Sequence, residues 1–350
     1  MALSDSPLFA LSAARIRSFL REPGAVFWTF GFPLLITVAL GIAFRNQGPT
    51  RFAVAVAEGP RAAAIVATLK QDDAVDVRML SATEAAAQLR TGAVLVVVDG
   101  GTSPTLSELT YAFDPSRPEA PAARRAIDDR LQRGAGRKDV LTATDRVAVA
   151  RGSRYVDWLV PGLLGMQLLS GALWGTAWNI VTARQRKLLK RLAATPMRRA
   201  HYLLSFRVAG LLFVPVQVLI LFVFARVAFG VVVHGSSLAV LALSLLASWS
   251  FAGLGLLCAS RAENTETANG LINVVTLPMY ILSGVFFSSA RFPAFVQPAV
   301  RLLPLSAFNE ALRHIVNDGA SLASQGFPLA VLVVWGVLSS VVALRLFRWA

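Results

Sequence analysis

A short basic stretch from Ala183 to Arg207 contains the residues best suited to bind another molecule. Its cations are Arg184, Arg186, Lys187, Lys190, Arg191, Arg198, Arg199 and Arg207. Leu188, Leu189 and Leu192 stand among these charges within about one helical turn. Thr195 and Pro196 then supply an N-cap and a first-turn proline for a second helix. This pattern predicts a segment that docks into another protein. The alternative is that its charges only keep the loop cytoplasmic.

Polar side chains recur at helical spacing inside two of the apolar stretches. One series is Asn269, Asn273, Thr276, Tyr280 and Ser283, and the other is Gln167, Ser170, Trp174 and Trp178. Polar groups in hydrocarbon are costly unless they pair or face a cavity. Two interpretations stay open, namely contact between helices and the lining of a translocation path. The candidate path residues are Gln167, Ser170, Trp174, Asn269, Asn273, Thr276 and Tyr280.

Sequence patterns of internal catalysis are missing. The chain has no G-x-x-x-x-G-K-[ST] loop, no H-E-x-x-H and no G-x-S-x-G. Its histidines, His201, His234 and His314, are scattered. We therefore expect no ATPase activity, no metal site and no cofactor bound by this chain. A membrane protein that does work without an internal energy site needs a partner that supplies the energy.

Composition and hydropathy predict the elements that position these residues. Hydrophobic residues make up 55% of the 350 residues and charged residues 15%, against about 25% charged in a soluble domain. We predict a mainly α, six-helix polytopic membrane protein. The predicted spans are about Val26–Phe44, Tyr155–Thr182, Tyr202–Phe229, Leu238–Ser260, Asn269–Ser289 and Phe327–Phe347. The termini and the loops on their side, counted with Arg207 and Arg345 at the adjoining span ends, hold 14 Arg and Lys residues. This bias predicts that both termini are cytoplasmic.

Three further segments complete the predicted organisation. Residues 1–25 form an interfacial (elbow) helix on the cytoplasmic side. Residues 45–154 form an extracytoplasmic mixed α/β domain, with 16 basic and 13 acidic residues and strand-like pieces at Phe52–Ala57, Ala93–Asp99 and Glu108–Phe113. Residues 155–350 contain spans 2–6. Within them, residues of about 290–326 are apolar but broken by prolines, which predicts short outer re-entrant helices.

Four stretches of the chain resemble the permease subunit of type-2 ABC exporters, in the branch with a large extracytoplasmic domain between spans 1 and 2. They are FGFPLLITVALG, DWLVPGLLGMQLLSG, LLKRLAATPM, and LPMYILSGVFFSS followed by LLPLSAFNEALR. The resemblance implies a dimer of permease subunits, either identical or related, around a central path. It also implies two copies of a cytoplasmic ABC ATPase that bind ATP and Mg. In place of the family's Glu-Arg-Gly-Thr-like run, this chain has Arg184-Gln185-Arg186-Lys187.

By this resemblance, the ATPases grip a coupling helix at about residues 184–197. The candidate ATPase-binding residues are Arg184, Lys187, Leu188, Leu189, Lys190, Arg191, Leu192, Thr195, Pro196, Met197, Arg198 and Arg199. We expect a bacterial inner-membrane exporter of an amphiphilic drug or lipid-like molecule, with membrane lipids and no nucleic acid among its partners. The first alternative is a non-transport membrane sensor whose extracytoplasmic domain binds a ligand and which signals through the basic loop. A cytoplasmic output domain would support it, and we do not expect one after Ala350. The second is an intramembrane enzyme, which the missing catalytic motifs disfavour.

Overall fold

The computed structural model of the protein describes residues 7–43, 51–72, 74–99, 101, 109–117, 119–138, 152, 154–194 and 199–347. The chain forms two compact units. A helical unit combines Met1–Arg45 with Val149–Ala350, and the second unit is the insert Asn46–Ala148. Two helices precede the insert, α1 (Pro7–Leu20) and α2 (Pro23–Ala43). Helix α2 contains a π-helical turn at Phe27–Gly31.

In its described residues, the insert forms a small four-stranded sheet with three helices. Its elements are β1 (Phe52–Ala57), α3 (Ala62–Leu69), β2 (Val75–Leu80), α4 (Ala82–Thr91), β3 (Val96–Val98), β4 (Tyr111–Phe113) and α5 (Ala120–Gly134). The strand order is β2-β1-β3-β4, in which β1 is parallel to β2 and β3, and β4 is antiparallel to β3. The predicted α/β class is therefore confirmed.

Strand β2 was not among the strands that the sequence analysis predicted. Its sequence, VDVRML, alternates only in part, and its side chains are half-buried or exposed because the strand lies at the edge of the sheet. The next helix has a clear local start signal. The Ser81 hydroxyl accepts a hydrogen bond from the Glu84 amide, and the Glu84 carboxylate accepts one from the Ser81 amide, both at 3.3 Å. This is a capping box, and it begins α4.

The helical unit continues after the insert. Its helices are α6 (Tyr155–Gln185), α7 (Leu188–Ala193), α8 (Arg199–Phe229), α9 (Ser237–Arg261), α10 (Thr265–Leu282), α11 (Gln297–Arg301), α12 (Pro304–Asp318) and α13 (Gly326–Leu346). Within the described residues, five helices are long and apolar enough to cross a membrane: α2, α6, α8, α9 and α13.

Helix α10 lies where the fifth span was predicted, but it is not one of these five. It has 18 residues and begins at Thr265, after the N-cap Asn264. The predicted span began four residues later, at Asn269. The helix ends at Leu282, and Gly284 then adopts a left-handed φ of 69°. Because Glu266, Asn269 and Asn273 lie inside it, α10 is more polar than the other long helices. Five of the six predicted spans thus meet the length and composition of a span.

Helix α9 occupies the centre of the helical unit and packs against α6 and α13. Small residues make this close approach feasible. A Cβ added to Gly255 would lie 2.7 Å from the Ala172 carbonyl oxygen of α6. On the other side, a Cβ added to Gly336 of α13 would overlap the Trp249 ring. The apolar core is therefore built around α9, with Phe251 fully buried within it.

Helix α1 is attached to α8 through Arg15, a cation that disrupts the apolar side of α1 in the sequence. Arg15 Nε donates a 2.8 Å hydrogen bond to the Ser205 hydroxyl, and its guanidinium lies 3.1 Å from the centroid of the Phe206 ring. Cations placed over aromatic faces are stabilised electrostatically. The position of Arg15 is therefore explained by a contact with α8 rather than by exposure to water.

Candidate functional site

The predicted coupling region begins where α6 ends. Arg186 terminates α6, and Lys187 follows with a φ of 57°, the left-handed conformation that is uncommon for residues other than glycine. The Lys187 amide donates a 2.9 Å hydrogen bond to the Arg184 carbonyl, which closes the turn. Helix α7 then begins at Leu188 and forms the single described helix between α6 and α8. The predicted short helix is thus present, separated from α6 by a tight turn.

The two leucines at the start of α7 differ in environment. The exposed fraction of Leu189 is 1%, and that of Leu188 is 41%. Lys187 and Arg191 are exposed as well. Leu189 therefore packs into this chain, whereas Leu188, Lys187 and Arg191 form the free face of the turn and helix. Lys190 and Leu192 lie in α7, but their side chains are outside the description.

Other predicted docking residues fall beyond the described part of the chain. Thr195, Pro196, Met197 and Arg198 lie between α7 and α8, outside the described residues. Arg199 is the first residue of α8, and its side chain is likewise not described. The predicted break and helix restart at Thr195 and Pro196 therefore stays a prediction.

Arg184 contacts residues of its own chain. Its Nη1 donates a hydrogen bond to the Ala259 carbonyl at 3.0 Å and another to the Ala262 carbonyl. Its guanidinium also lies 5.5 Å from the centroid of the Phe347 ring. These contacts connect the end of α6 to the end of α9. Arg184 was predicted as an ATPase contact, and that role stays a prediction, because the contacts described here lie within the chain.

The candidate path residues on α6 are mostly engaged with neighbouring helices. Gln167 is buried, and its Nε2 donates a hydrogen bond to the Thr29 carbonyl in the π-helical turn of α2. Trp174 begins a second π-helical turn, Trp174–Trp178, and its ring centroid lies 5.8 Å from that of Trp178. Gln167 thus contacts a neighbouring helix, which was one of the two interpretations, whereas the contact between Trp174 and Trp178 lies within α6 itself.

The polar series on α10 follows the border between its buried and exposed faces. Thr276 is buried and donates to the Ile272 carbonyl at 2.9 Å, whereas Asn269 is exposed. Asn273 Nδ2 donates a 2.8 Å hydrogen bond to Asn269 Oδ1. Tyr280 is half-buried and packs against the main apolar core. The two predicted series thus lie on helices that pack against each other.

The segment between α10 and α13 contains a buried arginine that the sequence analysis did not single out. Arg313 of α12 is 9% exposed, and its guanidinium lies 3.5 Å from the centroid of the Trp158 ring. Its Nη2 donates to the Trp158 carbonyl at 3.2 Å and to the Gly284 carbonyl at 2.5 Å. Asn309, one turn earlier, donates to the Ser283 carbonyl at 3.0 Å. In the sequence, the four-residue spacing of Asn309 and Arg313 could have indicated that the two side chains share one face of a helix.

An ion pair marks the beginning of α6. Arg154 Nη2 lies 2.8 Å from Asp157 Oδ1, and Arg154 Nη1 donates to the Phe229 carbonyl at the end of α8. The hydrogen bond with Asp157 raises the pKa of Arg154 above its ordinary value. The arginine therefore stays charged and connects the adjacent ends of α6 and α8.

Among the described residues, no group of three or more His, Cys, Asp and Glu side chains could hold a metal ion. That the chain binds no cofactor stays a prediction.

The sequence of this chain matches the model of a known protein family. The model of the ABC-2 family transporter protein matches residues 23–345, which is most of the chain. No curated protein matches the chain. The match includes the apolar helices, the α/β insert and the basic turn. Membrane proteins of this family are the permease part of ABC transporters, do not contain the ATPase, and work with a separate ABC ATPase. The chain therefore belongs to the ABC-2 family, as a multi-pass permease.

Proposed function

We propose that this permease is an exporter subunit that moves an amphiphilic drug or a lipid-like molecule outward across a bacterial inner membrane. Two copies of a separate ATPase hydrolyse ATP, and a second permease chain, identical or related, completes the transporter. The observation that carries this proposal is the free face of the turn and α7, where Lys187, Leu188 and Arg191 are exposed between two membrane-crossing helices.

This face suits an ATPase contact because it combines cations with an apolar side chain. Leu188 is a partly exposed apolar side chain on a short helix and is available for burial by a partner. Full burial of a leucine contributes roughly 1.5–3 kcal/mol, which corresponds to about a 10- to 100-fold change in affinity. Exposed ion pairs contribute only about 0–1 kcal/mol each. We therefore expect docking to depend more on Leu188 than on any single cation.

An amphiphilic substrate is favoured by the polar series at the border of α10. Asn269, Asn273 and Tyr280 lie beside an apolar exposed face that includes Val274 and Ile281. A surface that presents amide and hydroxyl groups next to aliphatic side chains can bind a molecule with a polar head and an apolar body. Gln167, Ser170, Trp174 and Thr276 would enter such a path only if α6 and α10 separate.

The test is copurification with a cognate ABC ATPase, followed by ATP turnover in reconstituted vesicles. Leu188→Ser should weaken copurification about 10-fold or more. Leu20→Ser, which changes an exposed leucine at the end of α1, is the matched control and should leave it unchanged. Arg198→Gln with Arg199→Gln should weaken it less than Leu188→Ser does. Copurification and turnover that are unaffected by Leu188→Ser would refute the docking role of this face.

A further inference from the structure

We propose that Arg184 is a positioning residue that transmits displacement of α7 to α10, the helix that carries the polar series. This inference rests on the proposed function, because it assumes that an ATPase moves α7. It differs from the prediction that Arg184 itself contacts the ATPase. It assigns to the guanidinium a mechanical connection between helices that are distant in sequence.

The first step of the argument is the position of Arg184 at the end of α9. The last four carbonyl groups of a helix lack partners within the helix, and the helix end carries a partial negative charge. Arg184 donates to one of these carbonyls, that of Ala259, and also to Ala262, the residue that follows α9. A charged donor at this place satisfies these carbonyls with hydrogen bonds and is attracted to the partial negative charge of the helix end. Arg184 therefore fixes the end of α6 to the end of α9.

The second step is an apolar contact at the same place. Val181, one turn before Arg184, is fully buried against Ala262 and Ala268, with Leu271 packed beside them. Ala268 and Leu271 belong to α10. The negative charge of Glu263, next to Ala262, also acts on the Arg184 guanidinium. The end of α6 is thus attached to the α9–α10 connection by both charge and packing.

The third step is the short distance along the chain from this contact to α10. Helix α10 begins at Thr265, where Asn264 caps it by accepting a 2.7 Å hydrogen bond from the Thr267 amide. Farther along the chain, α10 also packs against the π-helical turn Trp174–Trp178 of α6. Helix α10 is therefore in contact with α6 at two places. A displacement of α7 that tilts the end of α6 would reach α10 through Arg184, as well as reaching α8 along the chain.

Electron paramagnetic resonance can separate these two routes. The background is the chain with its single cysteine, Cys258, replaced by alanine, in complex with its ATPase in lipid nanodiscs. A spin label is placed either at Val274→Cys on α10, 71% exposed, or at Leu219→Cys on α8, 63% exposed. The measurement is the spectral change on addition of MgATP with vanadate. Amide hydrogen exchange over residues 263–268 is measured on the same variants.

We expect Arg184→Ala to abolish the nucleotide-dependent change at position 274, to retain the change at position 219, and to retain ATPase copurification. Arg184→Lys should restore part of the change at 274, because an ammonium can still donate to a carbonyl. Arg186→Ala, which removes an exposed cation two residues away, should leave both labels unaffected. Exchange over residues 263–268 should be at least tenfold faster in Arg184→Ala and unchanged in Arg186→Ala.

A full response at position 274 in Arg184→Ala, or unchanged exchange there, would overturn the inference. Loss of the ATPase on purification of Arg184→Ala, but not of Arg184→Lys, would identify Arg184 as a docking contact instead. Failure of the proposed function is visible separately, because in that case no ATPase copurifies with the chain that retains Arg184.

Discussion

Leu188 and Leu189 are adjacent in the chain, yet one is available to a partner and the other belongs to the core. Leu189 packs in the same apolar cluster as Tyr202 and Phe206 of α8. A variant that changes both leucines would therefore mix a docking effect with a folding effect. Single substitutions keep the two effects apart.

We expect Leu189→Ala to lower the free energy of unfolding by roughly 2–5 kcal/mol, because it leaves a cavity in a packed site. Leu188→Ala should change stability by much less, since its side chain is largely exposed. Thermal unfolding of the purified chain in detergent measures both. Equal midpoints for the two variants would contradict the assignment of Leu189 to the core.

Arg313 provides a second test at the level of one side chain. Arg313→Ala should leave the carbonyls of Trp158 and Gly284 without this donor, at a cost of about 1–3 kcal/mol for each buried group left unsatisfied. Arg313→Lys should recover only part of the loss. The ammonium can still donate to a carbonyl, but it lacks the planar fork of arginine. Arg301→Ala removes an exposed cation from the same segment and serves as the control. If the unfolding temperature of Arg301→Ala falls as far as that of Arg313→Ala, the loss of stability is not caused by the burial of Arg313.

Among the elements, the insert has its own apolar core. Val54, Val56, Ile65, Leu69, Val96 and Val98 are buried within it. We expect residues 45–154 to be soluble and folded when produced alone. Circular dichroism should then show both helix and strand with a cooperative thermal transition. A spectrum of a disordered chain would contradict this prediction.

The contact between β4 and α5 predicts how the insert responds to alkaline pH. The Tyr111 hydroxyl donates a 3.0 Å hydrogen bond to Asp128 Oδ1. Burial, and secondly this bond, raise the pKa of Tyr111 above its ordinary value of 10.0. The folded state therefore favours the protonated phenol. Its contribution to stability is complete below about pH 10 and is lost as the pH rises through the folded-state pKa.

Denaturant unfolding of the isolated insert at pH 8 and at pH 11 measures this effect. The free energy of unfolding should fall between these two conditions, and Tyr111→Phe should reduce the fall. The control is Thr91→Val, at an exposed position of α4 within the insert. Tyr155→Phe would not serve, because Tyr155 lies outside the insert. An equal fall in Tyr111→Phe and in the unsubstituted insert would show that other groups cause the alkaline loss.

At the scale of the whole molecule, the distribution of charge predicts the orientation of the chain in the membrane. The basic bias predicts that both termini and Arg191 are cytoplasmic and that Asp72 is outside. Single cysteines at positions 72 and 191, after replacement of the buried Cys258, should label oppositely with an impermeant reagent in intact cells. Labelling of position 72 only after the membrane is opened would reverse the topology.

The amino-acid sequence by itself was sufficient for the features that depend on local composition. The apolar stretches predicted six spans, and five of them meet the length and composition of a membrane-crossing helix, because hydropathy over about 20 residues decides that property. Local patterns also predict the α/β insert, most of its elements and the short helix at Leu188. The motifs that carry the family resemblance are local too, and the family is confirmed.

Only the tertiary structure decides which polar and charged groups are buried, because their partners lie far away in the chain. Arg184 meets the end of α9, Gln167 meets α2, and Arg313 meets Trp158, across separations of 75, 138 and 155 residues. The burial of Leu189 beside the exposed Leu188 has the same origin. A loop cation and a buried cation look alike in sequence, since the difference lies in the helices that fold against them.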